Sequence, residues 1–112
     1  MSKLKLIADV TQEVLPTPTT LFTAAVEQYK QLTVEVENLD GSQTLNVQVW
    51  RRASTTGSYS LSPLDLLSDI QPGESRCVDF DISGTLFVQL RATASGIGLS
   101  CRTAGTLVEA TL

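Results

Sequence analysis

Apolar and polar residues alternate along most of this chain with a period of two, the spacing of a strand with one buried face. Over residues 31–38, Leu32, Val34 and Val36 share one face, and Thr33, Glu35 and Glu37 the other. Over 44–51, Leu45, Val47 and Val49 do the same. Asp40-Gly41 between them is a favoured two-residue hairpin turn. Centred there, it predicts pairs Val36 with Leu45, Val34 with Val47, and Leu32 with Val49, apolar always opposite apolar. Val88, Leu90, Ala92 and Ala94 alternate in the same way. Turns at Ser95-Gly96 and Ala104-Gly105 would make 86–112 a three-stranded antiparallel meander, pairing Leu90 with Cys101 and Cys101 with Val108. Val78, Phe80 and Ile82 alternate with Cys77, Asp79 and Asp81. The link over 83–85 is either a bulged hairpin or a crossing between two sheets.

Two further strands are expected near the N-terminus, one carrying Leu4, Leu6, Ala8 and Val10, the other Phe22, Ala24 and Val26. Between them Pro16-Thr17-Pro18-Thr19 is extended, because each proline lacks a donor and restricts its predecessor. Residues 1–18 therefore read as an N-terminal strand or arm with a Pro-containing linker, and 19–112 as one domain. Residues 53–62 are a polar loop or short strand. Ser62, Pro63 and Asp65 have the order of a capping box, which predicts one short helical turn near 62–69. The sum is an all-β, antiparallel β-sandwich of about eight short strands.

Composition narrows the function more than the fold. A chain of 112 residues is one small domain. Its net charge of −4, without a basic block, argues against nucleic acid. No apolar run is long enough for a membrane span. The opening MSKLKLIADV lacks the core and cleavage pattern of a signal peptide. There is no histidine, which removes Ser-His-Asp and Cys-His catalysis and histidine-bound zinc. Cys77 and Cys101 fall on opposite faces, which disfavours a disulfide. Asp79 and Asp81, with Glu74 nearby, offer oxygen ligands but no calcium-loop spacing. The expectation is a protein that is not an enzyme, with no cofactor and no metal.

One set of residues falls opposite the core in these registers: Leu39, Trp50, Phe87 and Leu107, with Arg51-Arg52 as a polar rim. They are candidates for a partner interface, or for cover by loops of the same chain. Leu4, Leu6 and Val10 are the candidate contacts of an N-terminal arm. The stretches TTLFTAA (19–25), VEVENLDGSQTLNVQVW (34–50) and QPGESRCVDFDISGTLFVQLRATASG (71–96) resemble small β-sandwich or jelly-roll virion proteins of tailed bacteriophages, of the head decoration or cement type. The resemblance covers 19–112 in style and carries no signature motif. It implies a jelly-roll-like sandwich, a homotrimer, and a role clamping adjacent major capsid subunits. It also implies a virion location after synthesis in the host cytoplasm. A neck or tail component, or a receptor- or glycan-binding module, is the alternative.

Overall fold

The computed structural model describes residues 4–62 and 66–110. They form eight strands: β1 (Leu4–Val14), β2 (Thr19–Ala25), β3 (Tyr29–Asn38), β4 (Leu45–Arg52), β5 (Ser60–Leu61), β6 (Ser75–Asp81), β7 (Phe87–Ala94) and β8 (Leu99–Glu109). Sheet A has the order β1-β8-β3-β6 and sheet B the order β2-β7-β4-β5. All pairings are antiparallel, as the alternation predicts. The inward residues of sheet A, including Leu32, Val34, Val36, Phe80, Leu99 and Leu107, meet Leu45, Val47, Val49, Val88 and Leu90 of sheet B in one core. Each such side chain contributes roughly 1.5–3 kcal/mol by leaving water.

The topology is a jelly roll. The chain is doubled on itself about the 53–59 loop, so the first strand pairs with the last and the fourth with the fifth. Leu4 meets Val108, Thr20 meets Arg91, Gln31 meets Asp81 and Trp50 meets Leu61. The doubled ribbon then rolls up, bringing β3 against β8 and β4 against β7.

This winding overturns three expected pairings. β3 and β4 lie in different sheets, so Asp40-Gly41 closes no hairpin. Two strands facing each other across a core bury the same residues as two strands side by side, so alternation alone does not separate the cases. The geometry of the crossing does. Asn38 is fully buried. Its Nδ2 donates to the carbonyls of Gln43 (2.8 Å) and Ile70 (3.1 Å), and its Oδ1 accepts from Asp40 N–H (3.0 Å). The Asp40 carboxylate in turn accepts from Ser42 N–H (2.9 Å) and Gln43 N–H (2.8 Å). These bonds carry the chain from sheet A to sheet B.

The 86–112 meander is likewise replaced. The link from β7 to β8 is a second crossing, with the positive φ at Gly98 rather than Gly96. β8 runs unbroken through Ala104-Gly105. Gly105 serves close packing instead of a turn: a Cβ there would lie 3.0 Å from Phe22 Cζ and 3.1 Å from Ile7 Cγ1. Of the two links considered for 83–85, the structure has the crossing, with Gly84 at φ 80°.

The expected helical turn falls in part on 63–65, outside the described residues. Ser62 and Leu66–Ile70 form no helix. Leu67 and Ile70 instead cover the margin of β4, where Val47 N–H donates to Leu67 O (2.9 Å) and Leu45 exchanges both backbone bonds with Ile70. Arg76 pins this segment by donating to Ser68 O (2.6 Å) and Asp69 O (3.1 Å), while Glu74 holds Arg76 at 2.8 Å.

Truncating Asn38 removes the amide's bonds to Gln43 O and Asp40 N–H and one of the two bonds that Ile70 O accepts. Asn38→Ala should cost about 2–3 kcal/mol, read as a lower urea midpoint with an unchanged slope. An unchanged midpoint would show that the amide does not hold the crossing.

Asp40 and Glu74 are among the carboxyls that make stability depend on pH. Backbone donation from Ser42 and Gln43 holds Asp40 below its ordinary 3.8. The bond from Arg76, then that from Gln71 N–H, holds Glu74 below its ordinary 4.5. Lowered folded values mean stability that is complete above the unfolded values and lost as pH falls through the folded ones. The urea midpoint should stay level down to about pH 5 and drop below about pH 4, with a smaller drop in Asp40→Asn. An identical drop in that variant would contradict the assignment to Asp40.

Candidate interaction face

β4 and β7 are neighbours in sheet B, and directly opposed residues project to the same side. Gln48 is opposite Arg91, Trp50 opposite Gln89, and Arg52 opposite Phe87. Their neighbours Val47, Val49, Val88 and Leu90 fill the core, so this second set faces outward. β5 pairs Leu61 with Trp50, which brings Tyr59 alongside.

The result is a ladder of alternating rings and guanidinium groups. Arg91 Cζ lies 4.3 Å from the Trp50 ring centroid and 5.7 Å from that of Tyr59. Arg52 Cζ lies 4.9 Å from Tyr59 and 4.6 Å from Phe87. Each exposed contact of this kind is worth about 0.5–1 kcal/mol. Hydrogen bonds hold the rungs in place. Trp50 Nε1 donates to Gln48 Oε1 (3.2 Å), Arg91 Nε to Gln89 Oε1, and Arg52 Nη1 to Gly57 O (3.0 Å). Arg52 Nε is covered and has no partner among the described residues.

Beside the ladder, at the β4–β5 and β6–β7 loops, lies an open polar groove of about 490 Å³. Arg51, Ser54, Ser58, Ser60 and Ser83 line it. Arg51 Nη1 reaches Asp81 O at a long 3.4 Å.

The outer face of sheet A is different in kind. Arg102 stands at its centre, 3.0 Å from Asp9, 3.0 Å from Glu35 and 3.6 Å from Glu37. The Asp9 hydrogen bond, then the Glu35 charge, raise its guanidinium further above the usual value. Asp79 accepts from Thr33 Oγ1 (2.7 Å). Donation from Ser83, chiefly its backbone N–H, holds Asp81 below the usual carboxylate value. Among the described residues, no three His, Cys, Asp or Glu side chains are grouped to hold a metal ion. Cys101 is buried, and burial raises its thiol pKa, so it is held as an unreactive thiol. Cys77 is exposed on the opposite side of sheet A.

The structure brings Trp50 and Phe87 into the ladder and places Arg51 in the groove at its end. Leu39 is 47% exposed in the β3–β4 crossing, apart from them. Leu107 is 0% exposed, which corrects its expected outward placement. The supposed turn at 104–105 had reversed its face, whereas the unbroken β8 turns it inward with Leu99 and Cys101. Leu4 (70% exposed) and Leu6 (63%) lie on the outer side of β1, opposite Val108 and Thr106 of the same chain. Val10 sits opposite Thr103 at the sandwich margin. Arg91 and Tyr59 join the face without having been among the interface candidates; Tyr59 stood out in the sequence only as an exposed aromatic that, with Trp50, a sugar could stack on. Arg91 was within reach, since it alternates in step with Phe87 and Gln89. Tyr59 was not, because it enters the face from a loop.

Fold and face together define an eight-stranded jelly roll that presents a surface. No protein-family model matches the chain, and no curated protein matches it by sequence. Solved structures do share its fold. The subunit of Bacillus endospore appendages, described as disulfide-linked pili, superposes with a TM-score of 0.63 at 10% identity, over 100% of this chain and 91% of that one. YomS, a protein derived from the SPBc2 prophage, gives 0.65 at 15% identity, over 97% and 96%. VP2 in the subviral particle of infectious bursal disease virus gives 0.58 at 14% identity, over 96% of this chain and 32% of that one. At these identities the likeness is one of fold. No helix among the described residues is long and apolar enough to cross a membrane.

The ladder is open to direct measurement, because Trp50 is the only tryptophan. A double-mutant cycle of Trp50→Leu and Arg91→Ala should give a coupling of about 0.5–1 kcal/mol, and Arg91→Ala should shift the emission of Trp50. Zero coupling with unchanged emission would mean the two groups do not stack.

Proposed function

We propose that this chain is a structural protein of a virus particle, a capsid decoration or cement protein that binds and stabilises adjacent major capsid subunits. The observation that carries the reading is the Trp50–Arg91–Tyr59–Arg52–Phe87 ladder on an outward sheet face. Trp, Tyr and Arg are the residue types that dominate binding energy at interfaces, and rungs already locked in place lose little entropy on docking. The fold supports it, since YomS comes from a prophage and VP2 from a virus particle. On this reading the chain is non-enzymatic, assembles with copies of itself as a homotrimer and with the major capsid protein, and resides in the virion after synthesis in the host cytoplasm. A neck or tail position would use the same surface.

A second reading, a receptor- or glycan-binding module, draws on the polar groove lined by Arg51, Arg52, Ser58 and Ser60. It ranks behind. The ring faces on which a sugar would stack are already occupied by guanidinium groups, 4.3 Å away at Trp50 and 4.9 Å away at Tyr59.

Mass spectrometry of purified particles from the organism that carries the gene tests the reading. The chain should be present at a copy number comparable to the major capsid protein. Particles lacking it should rupture at lower temperature, and adding back the wild-type chain, but not Trp50→Ala/Arg91→Ala, should restore them. A chain absent from particles would overturn the proposal.

A further inference from the structure

The carboxylates are sorted between the two sheets, while both sheets carry cations. The strands of sheet B carry Arg51, Arg52 and Arg91 and no carboxylate at all. The outer face of sheet A displays Asp9, Glu13, Glu35, Glu37, Asp79 and Asp81, with Arg102 among them and Lys30 at the β6 margin. Arg102 is shared by Asp9, Glu35 and Glu37, which leaves that face with negative charge in excess. On sheet B the reverse holds. Gln89, an uncharged group, takes the Arg91 Nε–H, and among the described residues its Nη groups have no acceptor.

We propose that the arginine–aromatic face of sheet B docks on the acidic outer face of sheet A of a second copy of this chain, in a head-to-tail contact. Placing sheet A on sheet A sets carboxylates against carboxylates, and sheet B on sheet B sets arginines against arginines. Only the unlike pairing puts opposite charges together, and like charges opposed repel. The contact is heterologous: each copy offers both faces, so copies add in a ring or an open row. The size of the faces sets its strength. The strands of sheet B, the smaller face, hold 25 residues, which at about 3.3 Å per residue and about 4.8 Å between strands cover roughly 400 Å² per partner. That is at the small end of specific interfaces, so association is weak and depends on ionic strength. The inference deepens the assembly reading by naming what the ladder meets, and it is tested without particles.

Sedimentation velocity of the full chain from about 10 to about 500 µM, at about 20 mM and about 500 mM NaCl, supplies the test. Wild type should associate as concentration rises at low salt and be monomeric at high salt. Arg91→Glu should weaken association by roughly tenfold or more, and so should Glu35→Lys/Glu37→Lys. Mixing these two variants distinguishes the head-to-tail contact from any other. Each has one intact face, so the mixture should form a one-to-one complex that grows no further. Circular dichroism confirms that each variant is folded; if the lysine pair is not, Glu35→Gln/Glu37→Gln replaces it and should still weaken association. A wild type that is monomeric throughout, association indifferent to salt, or a mixture that stays monomeric would overturn the proposal. If the chain is nevertheless found in particles, this contact falls while the virion reading stands.

Discussion

Asn38 decides which of two arrangements the alternating strands adopt. An apolar-faced strand can be buried beside its neighbour in one sheet or across a core from it, and the hydrophobic gain is nearly the same. At the end of β3 the buried Asn38 amide ties Gln43, Ile70 and Asp40 together. With those bonds made, the chain leaves sheet A and enters β4 of sheet B. Leaving the buried amide unpaired would cost about 1–3 kcal/mol. The rest of the winding is consistent with that step, because β3 is then free to pair with β6 and β8, and β4 with β5 and β7.

The sorting of charge follows from the same winding. β3 and β6 bring their glutamates and aspartates into one sheet, while β4 and β7 bring arginines and aromatics into the other. Had β3 and β4 formed a hairpin, Glu35 and Glu37 would lie in the same sheet as Trp50 and Arg52, and that sheet would no longer be free of carboxylates. The jelly roll is thus what makes one face acidic and the other cationic and aromatic.

Much of this was legible in the chain, and the boundary is physical. Alternation placed the strands and most of the core, since a period of two fixes which side chains share a face whichever strand lies next door. It placed Trp50 and Phe87 outward for the same reason. Partners were not legible. Asp40-Gly41 has the composition of a hairpin turn, and only the buried amide two residues earlier shows that it is a crossing. Gly105 has the composition of a turn residue, yet its role is to let Ile7 and Phe22 approach. That misreading also turned Leu107 to the wrong side. Tyr59 joins the ladder only because β5 folds back on β4, a pairing of two residues that no pattern announces.

The proposed contact joins the arginine–aromatic face of one copy to the acidic face of the next. Solution NMR observes both faces of a 12.0 kDa chain at once. In a dilution series at low ionic strength, the Trp50 indole and Arg91 side-chain signals should move with the backbone signals of Glu35 and Glu37, following one concentration midpoint, and salt should abolish both sets together. Movement confined to one sheet, or no movement on either, would contradict it.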